Sequence, residues 1–262
     1  MDLSAIRTLL LDMDGVLYRG KTALPGVNDL LALCREHAIE YACITNNATM
    51  TPEEYEAKLR AMQIDMPGSR VLTSAIVTNR YLRDNYPRGT TVYAIGMHGL
   101  KSLLFDDGYF VWEEERPELV VQGADFEITY DKLKKGCLAL RAGARFIGTN
   151  PDITFPSEEG LIPGAGSMIR ALELASGKQA FIIGKPQPTM FIAAMEMLGG
   201  RPETTLMIGD RIDTDIEGAK VAGIKTAMVL TGVTTMEEIE ASSIKPDAIY
   251  ADLPNLIAAW RA

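Results

Sequence analysis

Asp12 and Asp14 stand one residue apart where the apolar run Leu9–Leu11 meets Gly15, in the stretch LLLDMDGVLY at residues 9–18. Carboxylates at the end of a buried strand cost several kcal/mol unless a cation or hydrogen-bond donors compensate them. Three further polar clusters follow apolar runs in the same way: Thr45 and Asn46 in ACITNN, Lys185 in FIIGKP, and Asp210 and Asp215 in LMIGDRIDTD. If these four strands share one sheet, the residues gather at its carboxyl rim, where open parallel sheets form their sites.

The chemistry such a set would perform is attack by a carboxylate on phosphorus. Asp12 and Asp210 offer hard oxygen ligands to a Mg²⁺ that keeps several waters, with the backbone carbonyl of Asp14 as a third protein ligand. Asp215 is expected just outside that ligand set. The Thr45 hydroxyl, Asn46 and the loop amides from Met13 to Gly15 can donate to phosphate oxygens, and Lys185 adds a point positive charge. With the charge of the dianion so cancelled, Asp12 can approach phosphorus as nucleophile. Asp14, its side chain freed by the turn at Gly15, is expected to protonate the leaving alkoxide and then activate water against the aspartyl-phosphate. Asp213 is left out, because capping and the helix dipole explain an acidic residue near a helix start. Taken singly, DMDG also reads as a solvated turn, TNN as a strand exit, GKP as a loop and GDRIDTD as a helix N-cap. Their order, each after an apolar strand, is what argues for a joint site.

A rim of this kind needs alternating strands and helices to carry it. The stretches IRTLLLD, GVNDLLALCREHA, YACITNN and TPEEYEAKLRAM alternate in that way. Val27, Leu30, Leu31 and Cys34 form one helical stripe, and Tyr55, Leu59 and Met62 a second. The rhythm returns in AFIIG, TMFIAAMEMLGG, TTLMIGD, TDIEGAKVAG, TAMVLTG and AIYADLPNLIAAW. An α/β fold with a mostly parallel sheet covered by helices follows. The middle of the chain holds its own strands (TVYAIG, ELVVQGAD, RFIGTN) and helices (YDKLKKGCLALRAG, MIRALELASG). The simplest accounting is a second α/β unit over residues 78–180, inserted into a first unit made of 1–77 and 181–262.

Bulk properties narrow the function classes. With 262 residues, 47% of them hydrophobic, the chain can bury a substantial core. A formal net charge of −9 argues against nucleic acid as the main partner. No apolar run approaches a membrane span, and the start MDLSAIRTLLLD lacks a basic, cleavable leader pattern, so a cytoplasmic location is expected. Cys34, Cys43 and Cys137 read as buried thiols rather than disulfides, and His37 and His98 lack partners at metal-ligand spacing.

These motifs resemble the haloacid dehalogenase superfamily of aspartate-nucleophile phosphohydrolases: DMDGVLY is similar to its first motif, Thr45 to its second, Lys185 to its third and GDRIDTD to its fourth. ALPGV, ITNNATMTPEEY, VVQGADFEITYDKL, GTNPDITFPSEEGLIPGAGSM and IIGKPQP extend the resemblance to its NagD-like, nitrophenylphosphatase-like branch, which includes phosphoglycolate and pyridoxal phosphate phosphatases. The resemblance implies a Rossmann-like core with a large α/β cap inserted between the second and third motifs. It also implies that Asn150, Pro151, Asp152 and Phe155, in GTNPDITF, face the leaving group, although Asn-Pro-Asp equally makes a tight turn. In VVQGADFEITY, Ala124 replaces a larger residue of some relatives.

The expected activity is Mg²⁺-dependent hydrolysis of small phosphate monoesters, with a small phosphorylated metabolite as partner. Alternatives of other classes are a receiver-like phosphoacceptor, a metal-free dehalogenase, a phosphotransferase to a sugar and a silent scaffold of the same fold. An apolar cap face could make a homodimer.

Overall fold

The computed structural model describes residues 2–157 and 159–262. The chain divides into two compact units, one of Met1–Thr45, Pro52–Leu72 and Lys185–Ala262, the other of Asn46–Thr51 and Thr73–Gly184.

The first unit is built on a six-stranded sheet in the spatial order Ala248–Tyr250, Lys225–Val229, Thr205–Gly209, Thr8–Leu11, Glu40–Thr45, Val71–Thr73. Thr8–Leu11 pairs in parallel with neighbours on both sides, and Leu9, Leu10 and Leu11 are fully buried. That is why its sequence is continuously apolar instead of alternating. From this central strand the chain builds outward on one side through Glu40–Thr45, and later on the other through Thr205–Gly209. The order therefore reverses at Thr8–Leu11, and the crevice of such a sheet lies at that point. Leu11 pairs with Ile208 and with Cys43, so Asp12, Asp210 and Thr45 all fall at the same carboxyl edge.

The helix Val27–Glu36 buries Val27, Leu30, Leu31, Leu33 and Cys34, the expected stripe widened by Leu33. Pro52–Ala61 buries Tyr55 and Leu59. It stops before Met62, which is half-buried in the following turn and donates its N–H to the Leu59 carbonyl at 3.0 Å. TDIEGAKVAG, expected as one helix, instead opens with a wide π-helical turn, Ile212–Ile216, before the short helix Glu217–Val221. The Ile216 N–H reaches five residues back to the Arg211 carbonyl at 3.2 Å.

The second unit carries a five-stranded parallel sheet in the order Phe181–Ile182, Arg145–Gly148, Leu119–Gln122, Thr91–Ile95, Val111–Trp112. Helices Tyr130–Ala142 and Ala165–Ser176 share a core with it, including Tyr93, Ile95, Val120, Phe146, Leu140, Ile169 and Leu172. The Thr129 hydroxyl caps the first of these helices by accepting the Lys132 N–H at 3.2 Å. Residues 78–180 lie within this unit, whose helix Ser74–Asn85 starts before them.

One strand belongs elsewhere than its motif implied. The apolar run before Lys185 pairs with Arg145–Gly148 in the second unit's sheet, and Ile183 and Gly184 extend that ladder to the Gly148 and Thr149 carbonyls. Three of the four motif-bearing strands share the core sheet, and Lys185 opens the segment that returns to it. A two-residue strand has too little pattern to declare its sheet.

The three cysteines are free thiols, Cys34 and Cys43 buried and Cys137 half-buried. Among the described residues no helix is long and apolar enough to cross a membrane.

Candidate active site

At the carboxyl edge of the core sheet the Lys185 ammonium joins two strand-end loops. It lies 2.5 Å from Asp12 Oδ1 and 2.7 Å from Asp215 Oδ1, and all three groups are buried. Asp215 Oδ2 accepts the backbone N–H groups of Asp210 and Arg211, each at 3.2 Å. The wide turn at 212–216 is what folds Asp215 back onto that backbone. Asp210 Oδ2 accepts the Val233 N–H at 2.8 Å, while Asp210 Oδ1 is buried with no hydrogen-bond partner among the described residues. Carboxylate oxygens of Asp12, Asp210 and Asp215 all lie within 4.8 Å of one another.

The turn after Asp12 is tied by the Gly15 N–H, which donates to the Tyr18 carbonyl at 2.8 Å. Gly15 has φ +82°, and a Cβ there would come 2.6 Å from Asp210 Oδ2, so both conformation and space require glycine. Asp14 keeps its side chain exposed on this turn, and Thr45 is buried at the end of its strand.

The remaining expected residues gather in the second unit. Asn46 donates from Nδ2 to Asp152 Oδ1 at 3.1 Å, and its carbonyl accepts from Ser74 Oγ and from Asn150 Nδ2, both at 2.6 Å. Asn150 Oδ1 accepts the Asp152 N–H at 3.2 Å, which makes the turn through Pro151. Phe155 meets Phe126 edge to face with ring centroids 5.5 Å apart.

Comparisons with known proteins identify the family. A family model described as haloacid dehalogenase-like hydrolase matches residues 9–110, and a second, HAD-hydrolase-like, matches 182–256. An acid sugar phosphatase of Staphylococcus epidermidis is 39% identical over 249 residues, covering 95% of this chain and 96% of the relative. The chain belongs to the haloacid dehalogenase-like hydrolases. Within that family it falls in the NagD-like branch. The crystal structure of a 4-nitrophenylphosphatase from Thermotoga maritima matches with a TM-score of 0.94 at 37% identity, covering 99% of each chain. A glycerol phosphate phosphatase from Mycobacterium tuberculosis in complex with magnesium matches at TM-score 0.88 and 32% identity, covering 98% of this chain and 78% of that one. The same relative has also been solved with calcium.

The electrostatics of this haloacid dehalogenase-like site call for a cation. Burial pushes the Asp12 carboxyl well above the usual carboxylate range, opposed by Lys185 and reinforced by Asp215 and Asp210. Burial and then the Asp215 charge push Asp210 up to about 7. Burial alone would lower the Lys185 ammonium, but Asp12 and Asp215 outweigh it and hold the pKa above its ordinary value. One ammonium thus faces three carboxylates, and a divalent cation is the group that would return Asp12 and Asp210 to their ionised form. The donor set fits one: Asp210 Oδ1 stands ready, and Asp12 has Oδ2 beyond its Lys185 contact. Both Asp215 oxygens are already engaged, which leaves it to support its neighbours.

Two features carried no assigned role in the sequence. Lys58 lies 4.1 Å from the centroid of the Tyr18 ring, on the helix that follows Thr45, and its charge together with that of Arg19 opposes the rise that desolvation gives the Asp14 carboxyl. The segment Thr231–Val233 closes on Asp210. Its position just past the carboxyl end of the strand Lys225–Val229 was the available signal, since sites of such sheets form on that side.

Proposed function

We propose that this protein hydrolyses phosphate monoesters of small metabolites in a Mg²⁺-dependent reaction that passes through an aspartyl-phosphate on Asp12. Phosphoric monoester hydrolysis is the activity in which the named relatives agree. The observation that carries the mechanism is the buried Asp12–Lys185–Asp215 chain beside a buried Asp210 oxygen that has no partner among the described residues.

In this reading Asp12 and Asp210 would hold the metal with the Asp14 carbonyl, and Asp215 keeps Lys185 and the 210–211 backbone in place. A bound Mg²⁺ would supply Lewis-acid polarisation of a phosphate oxygen. Lys185, the Thr45 hydroxyl, Asn46 and the amides around Gly15 take the remaining phosphate oxygens, so that the dianion no longer repels the attacking carboxylate. A carboxylate oxygen of Asp12 attacks phosphorus, forming the aspartyl-phosphate, and the P–O bond to the leaving group breaks. Asp14, exposed on its turn, gives the leaving oxygen a proton and then takes one from the water that cleaves the aspartyl-phosphate. Asn150, Pro151, Asp152 and Phe155 select the leaving group, with Asn150 acting mainly by holding the turn and the Asn46 carbonyl. The relatives' names support sugar phosphates, glycerol phosphate and 4-nitrophenyl phosphate as the substrates to try.

The test is turnover of that panel with Mg²⁺, together with rapid-quench trapping of labelled phosphate on the protein. Wild type is expected to turn over and to carry transient label. Asp12→Asn should lose both, with turnover down on the order of 10³-fold or more. Turnover surviving in Asp12→Asn would overturn the nucleophile assignment.

A further inference from the structure

Asp210 is gripped by a segment that none of the roles above includes. Thr231, Gly232 and Val233 follow the strand Lys225–Val229 of the core sheet. The Val233 N–H donates to Asp210 Oδ2 at 2.8 Å, and the Thr234 N–H donates to the Asp210 carbonyl at 3.3 Å. Gly232 lies so close that a Cβ on it would come 1.9 Å from Asp210 Oδ2 and 2.2 Å from Cγ. Gly15 borders the same carboxylate, and a Cβ there would also come 2.9 Å from Gly232 Cα. The Thr231 hydroxyl donates to the Gly15 carbonyl at 2.6 Å, and the Arg19 guanidinium donates to the Thr231 carbonyl. Loops that follow three different strands therefore meet on one side chain.

We propose that Thr231 and Gly232 are positioning residues for the metal. They set the Val233 N–H on Asp210 Oδ2 and thereby present Asp210 Oδ1 to the cation. This rests on Asp210 being a metal ligand. A carboxylate turns about its terminal torsion in a broad, two-fold well. Pinning one oxygen fixes the other, and the orientational freedom that binding would otherwise remove is already gone. Apolar burial does not hold the segment in place, since the Val233 side chain is 71% exposed and Thr231 is half-buried. Its hydrogen bonds run to Asp210, Gly15 and Arg19. Outer partners that orient metal-bound carboxylates are worth about 10- to 100-fold in metal affinity.

The experiment is calorimetric titration of the metal-stripped, full-length chain with Mg²⁺, repeated with Mn²⁺, alongside thermal melts in chelator. Thr231→Val should weaken metal binding about 10-fold and Thr231→Ser restore it, while both melt in chelator close to the parent. Gly232→Ala should weaken binding about 10- to 100-fold. If Gly232→Ala does not fold, the Thr231→Val and Thr231→Ser pair decides. Asp210→Asn separates the two readings. Should it bind Mg²⁺ like the parent, Asp210 is no ligand and the metal assignment itself falls. Should it lose binding while Thr231→Val and Gly232→Ala keep parental affinity, the positioning role alone is overturned.

Discussion

Asp215 meets the Lys185 ammonium with one oxygen at 2.7 Å while its other oxygen holds two backbone N–H groups of the 210–211 turn. The residue is completely buried, and Lys185 shares its ammonium between it and Asp12. Replacing it with alanine strips one of two carboxylates from a buried ammonium and removes the acceptor of two backbone N–H groups. Asp215→Ala is expected to cost about 3–5 kcal/mol in urea unfolding, the usual penalty for breaking a buried pair from one side. Asp215→Asn keeps an acceptor without the charge and should lose less. Equal stability of Asp215→Ala and parent would show that Lys185 is held by other means.

Asp14 is assigned to proton transfer, and leaving groups differ in their need for it. A nitrophenolate departs without help, whereas the alkoxide of a sugar or of glycerol does not. Asp14→Asn should therefore slow hydrolysis of glycerol phosphate by about 10²–10⁴-fold and that of 4-nitrophenyl phosphate distinctly less, provided that leaving-group departure limits the rate. Equal losses on both substrates, measured before the steady state, would remove Asp14 from the acid role.

The metal-free protein carries a pH signature from Asp210. Its folded pKa of about 7 stands above the ordinary 3.8, chiefly through burial. Between those values the native state keeps a proton that the unfolded chain has lost, so stability falls as pH rises through that window. Asp12 is shifted in the same direction. In chelator the urea midpoint should decline from pH 5 to pH 8, Asp210→Asn should decline less, and saturating Mg²⁺ should flatten the curve while raising stability by about 2.7 kcal/mol at 100 times Kd. A rise in midpoint across that range in chelator would contradict the picture.

Asn150 is nearly fully buried, and its amide is spent within its own unit on the Asn46 carbonyl, the Thr149 hydroxyl and the Asp152 N–H. Asn150→Ala should cost about 1–3 kcal/mol by leaving these groups unpaired. An unchanged thermal midpoint would show that they find other partners.

The α/β class, the parallel core and the acidic cluster were legible because they rest on local patterns. Apolar runs ending in Asp12, Thr45 and Asp210 read as buried strands, and the parallel register of the structure brings their ends to a common edge. What escaped was decided by tertiary contact. The run before Lys185 joined another sheet because two residues carry no preference between partners. The wide turn at 212–216 carries Asp215 to backbone donors of residues 210 and 211, a contact invisible in its letter alone. Gly232 read as a strand end, since its proximity to Asp210 depends on how a third loop folds.

The three thiols divide two to one between the units, and that split makes them reporters. Burial pushes Cys34 up to about 12 and Cys43 well above its ordinary value, so neither offers thiolate to an alkylating reagent while its surroundings stay closed. Modification of Cys34 and Cys43 therefore clocks opening of the core. Cys137, half-buried on a helix of the other unit, keeps separate time for that part of the chain.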